Sequence, residues 1–113
     1  KRFLAINPAT PVNSLEEVLD YIDGINLLMV NPGFAGQKIV PSTMRKAQKV
    51  VELLKREHRE DITIEVDGNI TPENARKLKG IGANIFVAGT SAIFKGNVAE
   101  FKQNIKTFRQ AIL

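Results

Sequence analysis

The chain lacks cysteine altogether, contains a single histidine, His58, and has no long apolar run. Without cysteine it can form neither a disulfide nor a thiolate metal site, and we expect a cytoplasmic setting. One histidine cannot complete a metal site that is built from several. No stretch approaches the roughly 20 apolar residues that a membrane-spanning helix needs, so we predict no membrane partner.

Neither sign of charge dominates, because the chain has 16 basic and 12 acidic residues and a net charge of +4. The basic residues alternate with Glu52, Glu57 and Glu60 along a predicted helix, without interleaved aromatic residues. That pattern is typical of a solvated helix face, so we predict no nucleic-acid partner. His58 lies in the polar end of the same helix and is predicted to face solvent.

What the sequence does contain is one pattern used four times, in which an apolar run leads through a loop into a helical stretch. The predicted strands are 3–6, 25–30, 62–66 and 84–88. The unbroken apolar run at 25–30 is typical of a parallel strand that is covered on both faces. Strand, loop and helix repeated in series predict a parallel sheet with right-handed crossovers.

Helix boundaries can be predicted from capping residues. Ser14 is the predicted N-cap of the first helix, with Glu16 and Glu17 in its first turn. The second helix opens near residues 41–42, and the third has Thr71 as its N-cap and Pro72 at its first position. The last helix starts at about residue 98, and its predicted apolar face is Phe101, Ile105, Phe108 and Ile112.

Two architectures fit four such units, an open doubly wound sheet and part of a (β/α)8 barrel. The open nucleotide-binding sheet is disfavoured because no GxGxxG or Walker pattern follows any strand. A full barrel takes about 250 residues, so residues 1–113 would be a single partial domain that holds half of one. The chain also begins within two residues of its first strand, without an initiator methionine, and we expect it to be part of a longer polypeptide.

Glycine and polar residues follow the predicted strands. They lie at the carboxyl ends of the strands, where both architectures bind their ligands. The loop "NPGFAGQ" contains Gly33 and Gly36, Asp67 is followed by Gly68, and Gly89 precedes two hydroxyl residues. Glycine lets backbone N–H groups approach a ligand closely, and hydroxyl groups add donors. Three such loops on one rim predict a cradle for a phosphate group.

Asp67 follows a predicted buried strand directly. An aspartate in this position often caps a turn or the next helix, but Thr71 is the better N-cap here. We therefore predict that the Asp67 carboxylate points into the mouth of the sheet. There it could serve as a general acid/base or as a ligand to a hard metal ion.

Four motifs together resemble those of the ribulose-phosphate 3-epimerase family: "NPATP", "VNPGFAGQK" with "VPS" just beyond it, "EVDGNITPENA" and "GANIFVAGTSAIF". They keep the family's order and spacing, and they match the C-terminal half of its (β/α)8 barrel, strands five to eight. The resemblance implies conversion of ribulose 5-phosphate to xylulose 5-phosphate by metal-assisted proton transfer at C3, through an enediolate.

The resemblance also implies roles for ten residues. Asp67 matches a family aspartate that is both an acid/base and a metal ligand, and the implied cofactor is a divalent cation, usually Zn²⁺, with Mn²⁺, Fe²⁺, Co²⁺ and Mg²⁺ as alternatives. The implied contacts to substrate and phosphate are Gly33, Phe34, Ala35, Gly36, Gly68, Asn69, Gly89, Thr90 and Ser91. Ala35, Asn69 and the "GTS" loop favour the related D-allulose-6-phosphate 3-epimerases, whereas "VNPGF" and "AIF" favour ribulose phosphate.

The family's second carboxylate and its metal-binding histidines lie on earlier strands and have no counterpart here. We therefore predict no appreciable epimerase activity for these 113 residues alone. A rival hypothesis is a non-catalytic, phosphate-binding half-barrel that pairs with itself, because four parallel strands leave two unpaired edges. For the parent protein we expect a homo-oligomeric, cytoplasmic enzyme of the pentose phosphate pathway that acts on a small sugar phosphate.

Overall fold

The computed structural model describes residues 1–113 as parallel strands that alternate with helices. The elements are β1 (Phe3–Ile6), a 3-10 helix (Val12–Tyr21), β2 (Gly24–Leu28), α1 (Ser42–Arg56), β3 (Thr63–Asp67), α2 (Pro72–Ile81), β4 (Ile85–Phe86) and α3 (Val98–Ala111). The sheet order is β1-β2-β3-β4, so each strand pairs in parallel with the one before it. This topology confirms the predicted α/β class and fits half of a (β/α)8 barrel. None of the helices combines the length and the apolarity that crossing a membrane requires.

The start of α2 follows the predicted capping pattern. Thr71 Oγ1 accepts a hydrogen bond from the Asn74 amide at 3.1 Å, and Pro72 is the first helical residue. Gly82 ends the helix with a φ of 134°, a conformation that other residues rarely adopt. The predicted starts of α1 and α3 are also confirmed.

The first helix differs from its prediction in both type and boundary. It is a 3-10 helix that begins at Val12, and its N-cap is Pro11, which makes no side-chain capping bond. The Ser14 amide donates to the Pro11 carbonyl at 3.1 Å, so Ser14 already lies inside the first turn and Glu16 and Glu17 lie beyond it. The predicted Ser14 cap is therefore wrong, because Pro11, with its fixed φ, starts the turn earlier.

Three strands differ slightly from their predicted bounds. β2 ends at Leu28 rather than residue 30, because the Met29 carbonyl accepts from the loop amide of Val40 at 2.8 Å instead of continuing the ladder. β3 is shifted by one residue, so that Asp67 is its last residue. β4 is only two residues long, although the Val87 amide still reaches the Val66 carbonyl at 3.0 Å.

The core lies between one face of the sheet and the helices. Side chains of β2 and β3 alternate, so that Ile25, Leu27, Ile64 and Val66 are buried while positions such as Glu65 are only half-buried. Asn26 and Leu28 are half-buried, so the face of the sheet that carries them is covered less fully than the unbroken apolar run at 25–30 predicts.

α3 packs on α2 and buries a narrower stripe than its sequence predicts. Phe108 and Ala111 are buried, whereas Ile105 is 42% exposed and Val98 is 78% exposed. The prediction of Ile105 as a core position is therefore wrong. Because β4 is only two residues long, α3 has little sheet to pack against. The side of α3 with Phe108 and Ala111 contacts the core, whereas the side with Val98 and Ile105 faces solvent.

Two carboxylates outside the core predict the response of the fold to acid. The Arg2 amide donates to Asp23 Oδ2 at 2.6 Å, a bond that lowers the Asp23 pKa and ties the start of β1 to that of β2. The hydrogen bond from Arg59 Nε to Asp61 Oδ1, at 3.0 Å, likewise lowers the Asp61 pKa. A carboxylate with a depressed folded-state pKa stabilises the fold above its unfolded-state pKa, and that contribution disappears as pH falls through the folded-state value.

We therefore expect the free energy of unfolding to hold near neutral pH and to decrease below about pH 4, as measured by urea denaturation over a pH series. A variant that carries Asp23→Asn and Asp61→Asn should lose less stability over the acidic part of the series. An equally steep loss in that variant would contradict the assignment to these two groups.

Candidate active site

A cavity of about 220 Å³ opens at the carboxyl ends of β2, β3 and β4. Nine of the ten residues singled out from the sequence line it, namely Phe34, Ala35, Gly36, Asp67, Gly68, Asn69, Gly89, Thr90 and Ser91. The tenth, Gly33, lies in the same loop as Gly36 but does not line the cavity. Four lining residues were not singled out, namely Val30, Gln37, Ile70 and Val87.

The loop between β2 and α1 is closed by a side chain. Gln37 Nε2 donates to the Asn31 carbonyl at 2.7 Å and to the Phe34 carbonyl at 3.0 Å. These two bonds hold the glycine-containing turn in place, and they leave the Phe34 ring 74% exposed. Gln37 was not predicted as a site residue, and its one signal in the sequence is a long amide side chain directly after the glycine loop.

Asp67 lines the cavity from the end of β3. Its side chain is half-buried and makes no hydrogen bond or ion pair within the protein, and no other aspartate or glutamate lines the cavity. Its backbone carbonyl accepts from the Met29 amide at 2.8 Å, which holds the residue in the sheet. The carboxylate is therefore free to exchange a proton with a ligand, while its backbone stays fixed.

Gly68 lies so close to Val30, just after the end of β2, that only glycine fits without strain. Its φ is 102°, and a Cβ at this position would lie 2.7 Å from Val30 Cγ2 and 3.2 Å from the Val30 amide nitrogen. Both the backbone conformation and the close approach exclude a side chain. The contact brings the residue after Asp67 against the neighbouring strand end.

Asn69 joins the three loops that surround the cavity. Its Oδ1 accepts from the Ile39 amide at 3.1 Å, and its Nδ2 donates to Ser91 Oγ at 3.1 Å. Its backbone is left-handed, with a φ of 52°, and its carbonyl accepts from the Thr71 amide and from Asn74 Nδ2, each at 2.9 Å. Asparagine is one of the few residues other than glycine that adopt this conformation readily.

The loops after β3 and β4 present unpaired backbone donors. The Gly89 carbonyl accepts from the Ile93 and Phe94 amides at 2.9 and 3.1 Å, which turns the chain back on itself after β4. In these two loops, the amides of Gly68, Asn69, Gly89, Thr90 and Ser91 are among those that donate to no acceptor in the protein. Free N–H groups around one cavity suit an anion such as phosphate.

The donor set of this chain does not fit a divalent metal ion. No group of three or more histidine, aspartate or glutamate side chains is placed to hold one. Asp67 supplies a single carboxylate, whereas protein-bound zinc takes at least three protein ligands. His58 is exposed in the turn after α1, with a φ of 55°, and does not line the cavity, as expected of a solvent-facing residue.

The chain matches known proteins along most of its length. Residues 1–94 match the model of the Ribulose-phosphate 3 epimerase family. A protein named ribulose-phosphate 3-epimerase from Buchnera aphidicola subsp. Baizongia pistaciae (strain Bp) is 50% identical over 91 residues, which is 80% of this chain and 39% of that protein.

Two further relatives bear the same name. The protein from Serratia marcescens is 46% identical over 94 residues (83% of this chain, 44% of that protein), and the one from Escherichia coli (strain K12) is 45% identical over 94 residues (83% and 41%). The chain therefore spans about two fifths of the length of the curated relatives it matches. Since the family model covers well over half of the chain, these 113 residues belong to the ribulose-phosphate 3-epimerase family.

Proposed function

We propose that the protein to which this chain belongs epimerises ribulose 5-phosphate to xylulose 5-phosphate, and that this chain supplies one proton-transfer carboxylate and the phosphate cradle. The observation that carries the proposal is the position of Asp67, whose unpaired carboxylate shares one cavity with the free amides of Gly89, Thr90 and Ser91. Membership in the family supports the reaction type.

We propose a distinct part of the reaction for each group. The amides anchor the phosphate and so hold the sugar carbons beside Asp67, which converts an encounter in solution into a positioned reaction. The Asp67 carboxylate takes the proton from C3, and the electron pair of the broken C–H bond moves into the enediolate. A second acid must then protonate C3 from the opposite face, and no other carboxylate lines the cavity. We propose that this acid comes from outside these residues.

The alternatives receive no specific support. The relatives cited above are all named ribulose-phosphate 3-epimerase, which favours the pentose phosphate over D-allulose 6-phosphate. An unpaired carboxylate has no evident use in a non-catalytic phosphate-binding half-barrel. We therefore rank ribulose 5-phosphate first as the substrate.

The cofactor, assembly and setting of the parent protein stay predictions. We propose a divalent cation, with zinc first among the candidates, for which Asp67 would supply one ligand and the remaining ligands would come from outside these residues. Homo-oligomerisation, a cytoplasmic setting and a role in the pentose phosphate pathway are proposed on the resemblance to the family.

The proposed function is tested by supplying the part of the barrel that this chain does not contain. The chain would be fused to the portion of the Escherichia coli (strain K12) relative that it does not match, and produced in a host without epimerase of its own. Incubation with ribulose 5-phosphate in D₂O should give deuterium at C3 and xylulose 5-phosphate, both of which NMR detects. Abstraction of the C3 proton makes this exchange a direct readout of the step assigned to Asp67.

Two controls define the outcome. The 113-residue chain alone and the relative's portion alone should each leave C3 undeuterated, because each lacks part of the catalytic group. A fusion that folds, binds phosphate and yet neither exchanges the C3 proton nor forms product would contradict the proposed function. Exchange by the isolated chain would contradict the requirement for a second half.

A further inference from the structure

The orientation of the Asn69 side chain is determined by its neighbours. The Ile39 amide can only donate, so the atom that faces it at 3.1 Å is Oδ1, and Asn74 Nδ2 also approaches this oxygen at 3.4 Å. The remaining atom, Nδ2, is therefore the one that faces Ser91 Oγ at 3.1 Å. Since an amide nitrogen can only donate, Ser91 accepts this hydrogen bond.

This direction leaves the Ser91 hydroxyl proton free. A serine hydroxyl has one proton to donate and can accept two hydrogen bonds, and Ser91 Oγ makes no other hydrogen bond in the protein. Ser91 also lines the cavity beside the free amides of Gly89 and Thr90. With its acceptor side occupied by Asn69, the hydroxyl joins these amides as a further donor.

We infer that Asn69 is a positioning residue, which acts through Ser91 by turning its hydroxyl into a hydrogen-bond donor for the phosphate group. The inference rests on the proposed function and specifies the ligand of that site as a group that accepts hydrogen bonds without donating, such as a phosphate dianion. The direct substrate contact predicted for Asn69 stays a prediction, because Nδ2 carries a second N–H that Ser91 does not use.

The backbone keeps Asn69 in place for this role. Its carbonyl is held by the Thr71 amide and Asn74 Nδ2 at the start of α2, and its left-handed φ of 52° aims the side chain between the other two loops. Alanine at this position would combine backbone strain with loss of the amide. Asn69→Gly removes the amide and tolerates the same φ, so it is the cleaner substitution.

A double-mutant cycle tests the inference with inorganic phosphate as the probe. The dissociation constant would be measured by titration calorimetry for the unaltered chain, Asn69→Gly, Ser91→Ala and the double variant. We expect Ser91→Ala to weaken binding about tenfold or more, because a hydrogen bond to a charged group is lost. Asn69→Gly should weaken binding about fivefold in the unaltered chain, but should have no further effect once Ser91 is alanine.

Three results would overturn the inference. An equal loss from Asn69→Gly with and without Ser91 would mean that Asn69 acts on the loops in general. Ser91→Thr, which keeps a hydroxyl, should hold affinity within about threefold of the unaltered chain, and a loss like that of alanine would contradict the donor role. In the unaltered chain, phosphate should also shift the NMR signal of the Asn69 side-chain NH₂. Absence of that shift at saturating phosphate would count against the inference even if no variant folded.

The outcomes also separate this inference from the proposed function. Phosphate binding with an additive cycle would contradict only the role of Asn69. Absence of any phosphate binding by the unaltered chain would contradict the inference and the phosphate cradle together. Failure of C3 proton exchange in the fused polypeptide, with phosphate binding and the cycle intact, would contradict only the epimerase proposal.

Discussion

Asp67→Asn is expected to lower kcat for ribulose 5-phosphate epimerisation by about 10³- to 10⁴-fold in the fused polypeptide, because a positioned acid/base typically contributes a factor of this order. Asparagine has nearly the same shape but cannot accept the C3 proton. No other carboxylate of these residues lines the cavity, and the second acid, which we propose comes from outside them, faces the opposite side of C3, so no group is placed to replace Asp67. KM should change little, since we propose that the substrate phosphate is held by the amides of other residues.

The matched control is Asp61→Asn, which also replaces an aspartate by asparagine. Asp61 precedes the amino end of β3, whereas Asp67 lies at the carboxyl end. Asp61 pairs with Arg59 at the surface, far along the strand from the cavity, so its replacement should leave kcat within about twofold. Rates are compared by following xylulose 5-phosphate formation and C3 deuteration under the same conditions. If Asp67→Asn kept a tenth or more of the activity, Asp67 would not be the proton-transfer group.

Gly68→Ala is expected to lower the free energy of unfolding by about 2–4 kcal/mol, which combines backbone strain with overpacking. The added Cβ would lie 2.7 Å from Val30 Cγ2, and the φ of 102° is one that alanine rarely adopts. Urea denaturation of the purified chain, followed by circular dichroism, measures the change. Because Gly68 directly follows Asp67, the same displacement should also move the Asp67 carboxylate, to which we assign proton transfer.

Gly80→Ala provides the control within the same chain. Gly80 lies in α2, where an added Cβ meets no atom within 4 Å, so alanine should stabilise the helix by about 0.5–1 kcal/mol. Combining Gly68→Ala with Val30→Ala should recover part of the loss, because one of the two clashing groups is shortened while the strain remains. If the Gly68→Ala chain were as stable as the unaltered one, Val30 would have to move away from the added Cβ at little cost in free energy.

Local signals determined how well each helix could be predicted. The start of α2 follows from Thr71 and Pro72, because an N-cap and the first helical position depend only on neighbouring residues. The first helix was misplaced because Ser14 is an equally good local cap, and the competing effect of Pro11 favours a 3-10 turn that capping rules do not describe.

Burial was predicted less well than secondary structure, for a different reason. The apolar run at 25–30 and the spacing of Ile105 both indicate buried positions, yet Asn26 and Leu28 are only half-buried and Ile105 is 42% exposed. An apolar pattern records which side chains favour burial, whereas actual burial depends on what the rest of the fold places against them.

The site shows the same division between local and distant information. The order of strands and loops brings residues such as Asp67, Gly68 and Gly89 to one rim, and the sequence sufficed for that. The bond between Asn69 and Ser91 joins two loops whose relative placement depends on the register of β3 and β4, so no local pattern indicates it. The role of Gln37 also depends on how its loop folds back on itself.

The order β1-β2-β3-β4 has a consequence for how the chain is made. Each of β2, β3 and β4 pairs with the strand before it, among residues that have already been synthesised, and only β1 depends on a strand further along the chain. Each unit emerging from a ribosome can therefore add to the growing edge left by the previous unit, in the manner of N-terminal regions that fold first during translation. The Val66 carbonyl accepts from the Val87 amide only after β4 has been made, so the loop that carries Gly89, Thr90 and Ser91 joins the cavity after Asp67 is already in place.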